Sequence, residues 1–264
     1  MAYRMYIWDF ADSAEYEIKH KGKYGAAGEK RAPKCRPTPE QVEKQNRLLR
    51  INRVRRLIKA NFKPGDLWIT LKYPKGARPG ADSVKSEMKK FIARLRRAYK
   101  KNEEELRYIY RVELGKRGGV HIHMILNRSD ARPDTDRLVQ EQWRAGRINC
   151  ASLYEQGGYE SLAEYLVKEL PSEMKGQLSL IPEEDRHTFR TYVPSRNLIK
   201  PRPECREYMR RTLRKLFEEG PKARKGYYID KDSITYGVNP YTGMSYYRYT
   251  EVRIRSTREA ADDG

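Results

Sequence analysis

Two histidines stand two residues apart in a run of strand-forming apolar residues, 120–126 (VHIHMIL). Side chains alternate across a β-strand, so we expect His121 and His123 on one face and the apolar residues on the other. Imidazole nitrogens on a rigid strand are common ligands of divalent ions, and the pair therefore indicates a metal site. The alternative is an ordinary half-buried pair of histidines, which is the commoner fate of such a pattern.

A carboxylate is expected opposite this pair, across a hairpin. The preceding segment also predicts a strand, and the glycine-containing loop 115–119 (GKRGG) joins the two. A hairpin closed by this loop places Glu113 opposite His121 and Arg111 opposite His123, and opposed residues share a face. Two imidazoles and one carboxylate suit a divalent ion with open positions, and for a phosphate substrate Mg²⁺ or Mn²⁺ is favoured over a closed zinc site. Alternatively, Glu113 pairs with a neighbouring cation at the surface.

A tyrosine and a lysine stand three residues apart in a segment that predicts a helix, 159–170. At this spacing Tyr165 and Lys168 lie on one helix face. A tyrosine hydroxyl can attack a phosphodiester, but with an ordinary pKa of about 10 it needs help. A neighbouring ammonium favours the phenolate and stabilises charge on the phosphate. The alternative for such a pair alone is packing by the tyrosine and a solvated lysine.

The chain carries 56 Lys and Arg against 36 Asp and Glu, a net charge of +20. This excess favours an acidic polymer as the partner, with nucleic acid as the first candidate. The 20 tyrosines fit base stacking, although tyrosine is also common in cores and strands. Three widely spaced cysteines without a C-x-x-C pair argue against a disulfide framework and fit free thiols in the cytoplasm. No apolar run is long enough to span a bilayer, so we expect no membrane partner.

The elements that must position these residues alternate between helices and strands. A loop or arm comes first, and the order that follows is a basic helix to about residue 61, a strand at 67–73, a basic helix at 82–101, the hairpin, a short helix near 134–145, the helix 159–170, an irregular segment 171–203, a helix 204–219 and Tyr-rich strands from 226. There is no internal repeat. We divide the chain into a basic N-terminal arm and helix (1–61), a core (62–203) and a C-terminal segment of helix and strands (204–264).

Basic side chains on these elements are candidates for contacts with a DNA backbone. The arginines of the two long helices lie outside the apolar stripes, where a solvated face is the alternative explanation. The candidates are Arg50, Arg53, Arg55, Arg56, Lys72, Arg94, Arg97 and Arg111.

Three motifs occur in an order that resembles the HUH endonuclease superfamily. They are the strand 68–73 (WITLKY), the pair 121–123 (HIH) and the segment 165–168 (YLVK), and together they span about residues 66–170. The motif order is similar to that of rolling-circle replication initiators (Rep proteins) of bacterial plasmids and phages. The resemblance implies an α+β fold with a central antiparallel sheet and flanking helices, similar to ferredoxin-like or RNA-recognition-type folds, with an extra N-terminal helix and a C-terminal α/β elaboration.

The resemblance also implies roles for the residues of the motifs. His121, His123 and Glu113 would bind the divalent ion, and Tyr165 would be the nucleophile with Lys168 assisting. The implied reaction is nicking of single-stranded origin DNA through a 5′-phosphotyrosine, which starts rolling-circle replication. The chain has no P-loop motif, so unwinding would fall to a separate helicase within the replication machinery.

Two other functions stay open at this point. A single-tyrosine HUH transposase or a mobilisation relaxase would use the same chemistry for a different biological outcome. A non-catalytic basic nucleic-acid-binding protein would explain the net charge and the tyrosines without any covalent step.

Overall fold

The computed structural model describes residues 3–20, 31–115, 119–130, 134–153, 157–168, 192–208 and 212–254. The chain forms two compact units, one made of residues 45–200 and the other of residues 1–44 and 201–264. Each unit contains one five-stranded antiparallel sheet. The N-terminal and C-terminal segments thus contribute strands to the same sheet. The division of the chain at residues 61 and 203 stays a prediction.

The described residues form the following helices and strands. The helices are α1 (Pro39–Asn61), α2 (Ala81–Lys101), α3 (Thr135–Gln142), α4 (Glu160–Val167) and α5 (Arg214–Glu219), and a 3₁₀ turn, Gly157–Tyr159, leads into α4. The strands are β1 (Tyr3–Asp9), β2 (Ser13–His20), β3 (Leu67–Lys72), β4 (Tyr108–Leu114), β5 (Val120–Leu126), β6 (Arg147–Ser152), β7 (Val193–Pro194), β8 (Glu204–Tyr208), β9 (Tyr227–Asn239) and β10 (Met244–Arg253).

The predicted α+β class, an antiparallel sheet flanked by helices, is confirmed. The strand after residue 66, the hairpin, the helix after residue 81 and the C-terminal Tyr-rich strands are also present. The predicted helix 204–219 is wrong in its first part, because residues 204–208 pair with β1 as strand β8 and only 214–219 are helical. Strands β1, β2 and β6 lie where no strand was predicted. Much of the irregular segment 171–203 lies outside the described residues.

In the unit of residues 45–200 the strand order is β6-β3-β5-β4-β7. One face of this sheet carries Ile69, Ile122 and Met124, which pack against Phe91 and Leu95 of α2. All five side chains are fully buried. Their alternate positions on the strands and their i, i+4 spacing on the helix produce one apolar layer.

The opposite face of the same sheet is covered by α1 and α4. Ile109 and Ile125 pack there with Val54 and Ile58 of α1 and with Leu166 of α4. Helices therefore cover both faces, and α4 lies on the face to which the histidine side chains of β5 belong. This is the arrangement that positions the candidate site.

The other unit has the strand order β8-β1-β2-β10-β9. Its core contains the buried tyrosines Tyr3, Tyr16, Tyr247 and Tyr249. The Tyr16 hydroxyl donates to the buried carboxylate of Glu251 at 3.0 Å. These tyrosines are packing residues, so the tyrosine count alone does not indicate base stacking. None of the helices in the described residues has the length and apolar character needed to cross a membrane.

We expect Gly146→Ala to destabilise the edge of the site-bearing sheet. A Cβ at Gly146 would lie 2.0 Å from the backbone oxygen of Lys72, so β6 would have to move away from β3. The expected cost is about 1–3 kcal/mol of unfolding free energy, measured by urea titration of Trp68 and Trp143 fluorescence in a Trp8→Phe background.

The matched control is Gly80→Ala, because a Cβ at Gly80 has no neighbour within 4 Å. Its expected cost is less than about 1 kcal/mol. Equal costs for the two substitutions would contradict the close approach of β6 and β3.

Candidate active site

The register of β4 and β5 brings the predicted residues onto one sheet face. Glu113 is paired with His121, and Arg111 is paired with His123, as the hairpin pattern predicts. On the other side of β5, strand β3 pairs Thr70 with His123. Because opposed residues of antiparallel strands share a face, all of these side chains point toward the layer that holds α4.

His123 is held on three sides. Its Nδ1 lies 3.2 Å from the Thr70 hydroxyl oxygen, and its Nε2 lies 3.1 Å from Oε2 of Glu113. The Trp68 ring stacks on it, with 5.6 Å between ring centroids and 18° between planes. Burial lowers the pKa of His123, against the opposing effect of the Glu113 charge. The ring is therefore neutral at pH 7, which is the form that binds metals.

Tyr165 completes this cluster from α4. Its hydroxyl donates a short hydrogen bond to Oε2 of Glu113, the same oxygen that lies next to His123. The Tyr165 ring is edge-on to His123, with 5.2 Å between centroids, and to Trp68, with 5.9 Å between centroids. Burial, together with the hydrogen bond to Glu113, raises the pKa of Tyr165 well above its ordinary value, so the resting group is the neutral phenol.

Lys168 is placed differently from the sequence expectation. Helix α4 ends at Val167, and Lys168 is its C-cap with an extended backbone (φ −54°, ψ 132°). Its side chain is exposed. The i, i+3 face that was expected to join it to Tyr165 is therefore not continuous helix, and its assisting role stays a prediction.

Arg111 is buried beneath α4, with 2% of the residue exposed. Its Nη1 donates to the backbone oxygens of Tyr165 at 3.0 Å and Leu166 at 3.1 Å, and through a short hydrogen bond to that of Lys168. Its guanidinium carbon lies 5.6 Å from the centre of the Tyr165 ring. The DNA contact predicted for Arg111 would require its guanidinium to leave these carbonyls.

The chemistry of the donor set fits a divalent ion, because two imidazoles and a carboxylate share the face. Their geometry is not that of a formed site: among the described residues, no group of three or more His, Cys, Asp and Glu side chains is arranged to hold a metal. The His121 and His123 ring centroids are 6.4 Å apart, and the carboxylate of Glu113 contacts Tyr165 and His123. The metal site of His121, His123 and Glu113 stays a prediction.

The predicted DNA-binding residues are divided between the two sides of the sheet. Lys72 is exposed on the face of the histidines, where it is paired with His121. Helix α1 lies on this same side and carries Arg50 and Arg53, which are exposed, and Arg55 and Arg56, which are half-buried. Helix α2 lies on the other side and carries Arg94, whose guanidinium donates to the Gln142 carbonyl, and Arg97, which is exposed.

Sequence reasoning did not select Trp68, Thr70 and Arg147 for the site. Trp68 and Thr70 alternate on β3, so pairing β3 with β5 in the correct register would have found them. Arg147 lies on β6, an edge strand that was not predicted, and it is exposed and paired with Lys72. One row across four strands is thus Arg147, Lys72, His121 and Glu113.

Comparison with known proteins adds one finding. The family model described as Replication-associated protein ORF2 matches residues 66–170. This segment begins just before β3 and contains the histidine strand and Tyr165. The match supports a replication initiator family for this chain. No curated protein and no solved structure matches it.

We expect His123 to make the folded protein less stable as the pH falls. Its pKa is lowered in the folded state, so just below the ordinary value of 6.5 the unfolded chain binds more protons than the folded chain. Stability is therefore lost as the pH falls from 6.5 toward the folded pKa. His123→Gln should remove this component from urea titrations at about pH 8 and about pH 5. An NMR midpoint for the His123 ring above its ordinary value would contradict the expectation.

Proposed function

We propose that this protein nicks single-stranded DNA at a replication origin, with Tyr165 as the nucleophile. The observation that carries the proposal is the meeting of the Tyr165 hydroxyl, Glu113 and His123 at one carboxylate oxygen. A tyrosine, a carboxylate and an imidazole on one face are the groups needed for covalent phosphodiester transfer. The match to a replication-associated family supports the substrate class.

Glu113 is placed to take the proton of the nucleophile. The Tyr165 hydroxyl donates to Oε2 of Glu113, and burial keeps this hydroxyl protonated at rest. As the Tyr165 oxygen attacks phosphorus, its proton passes to Glu113 and the bond from phosphorus to the 3′ oxygen breaks. The 3′ oxygen leaves and is protonated, which gives a free 3′-hydroxyl and a 5′-phosphotyrosyl bond. The reverse reaction rejoins the strand.

His121, His123 and Glu113 would hold a divalent ion, Mg²⁺ or Mn²⁺. Bound there, the ion would polarise the scissile phosphate and stabilise its developing charge. The neutral state of buried His123 suits this role, because a protonated imidazole cannot bind a cation. Trp68, stacked on the ring, and Thr70, beside its Nδ1, keep the His123 ring in one orientation.

The DNA would cross the exposed part of the same face. Arg147 and Lys72 are exposed in the row that ends at His121 and Glu113, so a backbone laid along them would lead a phosphate to the site. The exposed Lys168 stands beside this position and would add a positive charge to it. Since the chain contains no P-loop, a separate helicase would unwind the duplex within the cytoplasmic replication machinery.

Tyr165→Phe should abolish formation of the covalent adduct, because the substitution removes the attacking oxygen and leaves the ring. The measurement is incubation with single-stranded origin DNA and Mn²⁺, followed by gel analysis of the adduct and mass spectrometry of the linked peptide. The matched control is Tyr159→Phe, whose residue is buried at the start of the same helix. Adduct formation by Tyr165→Phe would rule out the assignment, and a wild-type protein that binds DNA without any adduct would favour a non-catalytic binding protein.

Removal of the divalent ion should stop nicking while leaving DNA binding largely intact. EDTA should abolish the reaction, and Mn²⁺ or Mg²⁺ should restore it. His121→Ala and His123→Ala should each weaken Mn²⁺ binding, measured by calorimetry, by more than about 100-fold, since loss of even an outer-shell partner costs 10–100-fold. His20→Ala, in the other unit, is the control. Nicking that persists in EDTA would eliminate the role of the metal.

A further inference from the structure

We infer that Arg111 is a positioning residue for the nucleophile, and that its buried guanidinium fixes the end of α4 so that the Tyr165 hydroxyl stays on Glu113. The inference rests on the proposed function, in which Tyr165 attacks the DNA. It assigns to Arg111 a role in the geometry of the reaction, without contact with the substrate.

The hydrogen bonds of Arg111 are made to the end of the nucleophile's own helix. The last carbonyls of an α-helix have no partner within the helix and carry partial negative charge. The Nη1 atom of Arg111 donates to three such carbonyls, those of Tyr165, Leu166 and Lys168. Because one of them belongs to Tyr165 itself, the guanidinium holds the backbone of the residue whose hydroxyl must be placed.

One strand therefore holds Tyr165 at two points. Arg111 and Glu113 stand two apart on β4 and share a face, and the first binds the Tyr165 backbone while the second accepts its hydroxyl. Helix α4 has only eight residues. So short a helix is marginal without tertiary contacts, and two attachments to one strand fix both its rotation and its height above the sheet.

The burial of Arg111 indicates a role beyond stability. A guanidinium that is 2% exposed loses its hydration, and a buried charge of this kind often stabilises a fold no better than an apolar side chain would. What an apolar side chain lacks is donors for the helix carbonyls. A lysine ammonium has three donors on one nitrogen, so it can replace part of what Nη1 does.

The test compares Arg111→Met and Arg111→Lys with the wild-type protein. The readouts are the single-turnover rate of adduct formation at saturating single-stranded DNA with Mn²⁺, and the Kd for the same DNA. Arg111→Met should lower the rate about 100-fold, the size expected for a misplacement of about 1 Å, and change the Kd less than about 3-fold. Arg111→Lys should recover at least about 10-fold of that loss.

Arg128→Met is the control in the same unit. The Arg128 side chain also donates to a backbone carbonyl, that of Gly65 at 2.6 Å, but lies outside the site. It should leave the adduct rate unchanged even where it lowers the thermal stability. An unchanged rate in Arg111→Met would overturn the inference, and so would a Kd that rises as much as the rate falls, because Arg111 would then be a DNA-contact residue.

Hydrogen exchange of the α4 amides tests the same inference without any reaction. Arg111→Met should lose protection in α4 while α3 keeps it, and Arg111→Lys should lose less. Unchanged protection in α4 would overturn the inference even if the wild-type protein forms no adduct. If neither the wild-type protein nor any variant nicks DNA while α4 responds as expected, the proposed function fails and the attachment of the helix by Arg111 stands.

Discussion

The antiparallel register of β4 and β5 is the constraint on which the candidate site depends. It sets Glu113 opposite His121 and Arg111 opposite His123. A shift of one residue in either strand would turn its side chains to the other face, where the apolar core with α2 lies. Two charged residues and two imidazoles would then replace core residues, at a cost that the fold could not bear. The apolar alternation of the strands therefore specifies the site as well as the core.

The two faces of this sheet serve different purposes because different helices cover them. On one face α2 and α3 close a core in which the sheet contributes apolar side chains. On the other, α1 and α4 cover only part of the sheet, and the remainder holds the polar cluster around His123. Partial cover raises the pKa of Tyr165 and lowers that of His123, so the nucleophile rests as a phenol beside a neutral imidazole. A site of this kind needs a proton acceptor, and Glu113 is in contact with both groups.

The basic residues contribute in several ways that net charge does not distinguish. Arg111 and Arg94 donate to backbone carbonyls at the ends of α4 and α3, so their guanidinium groups are used within the fold. Lys72 and Arg147 are exposed beside the histidines and remain available to an anionic partner. A positive excess predicts a polyanion as the partner, but the location of each cation decides which ones can meet it.

Local sequence patterns determined the hairpin, its register, the strand at 67–72, the two long helices and the identity of the clustered residues. These depend on periodicity and turn residues, which are properties of neighbours in the chain. Only the tertiary structure decided that α4 packs on the histidine face, that Tyr165 meets Glu113, that Arg111 lies beneath the helix and that Trp68 stacks on His123. It also decided that residues 204–208 are a strand, because pairing with β1 outweighs their helical propensity. Such contacts join residues far apart in sequence, and a single sequence carries no local signal for them.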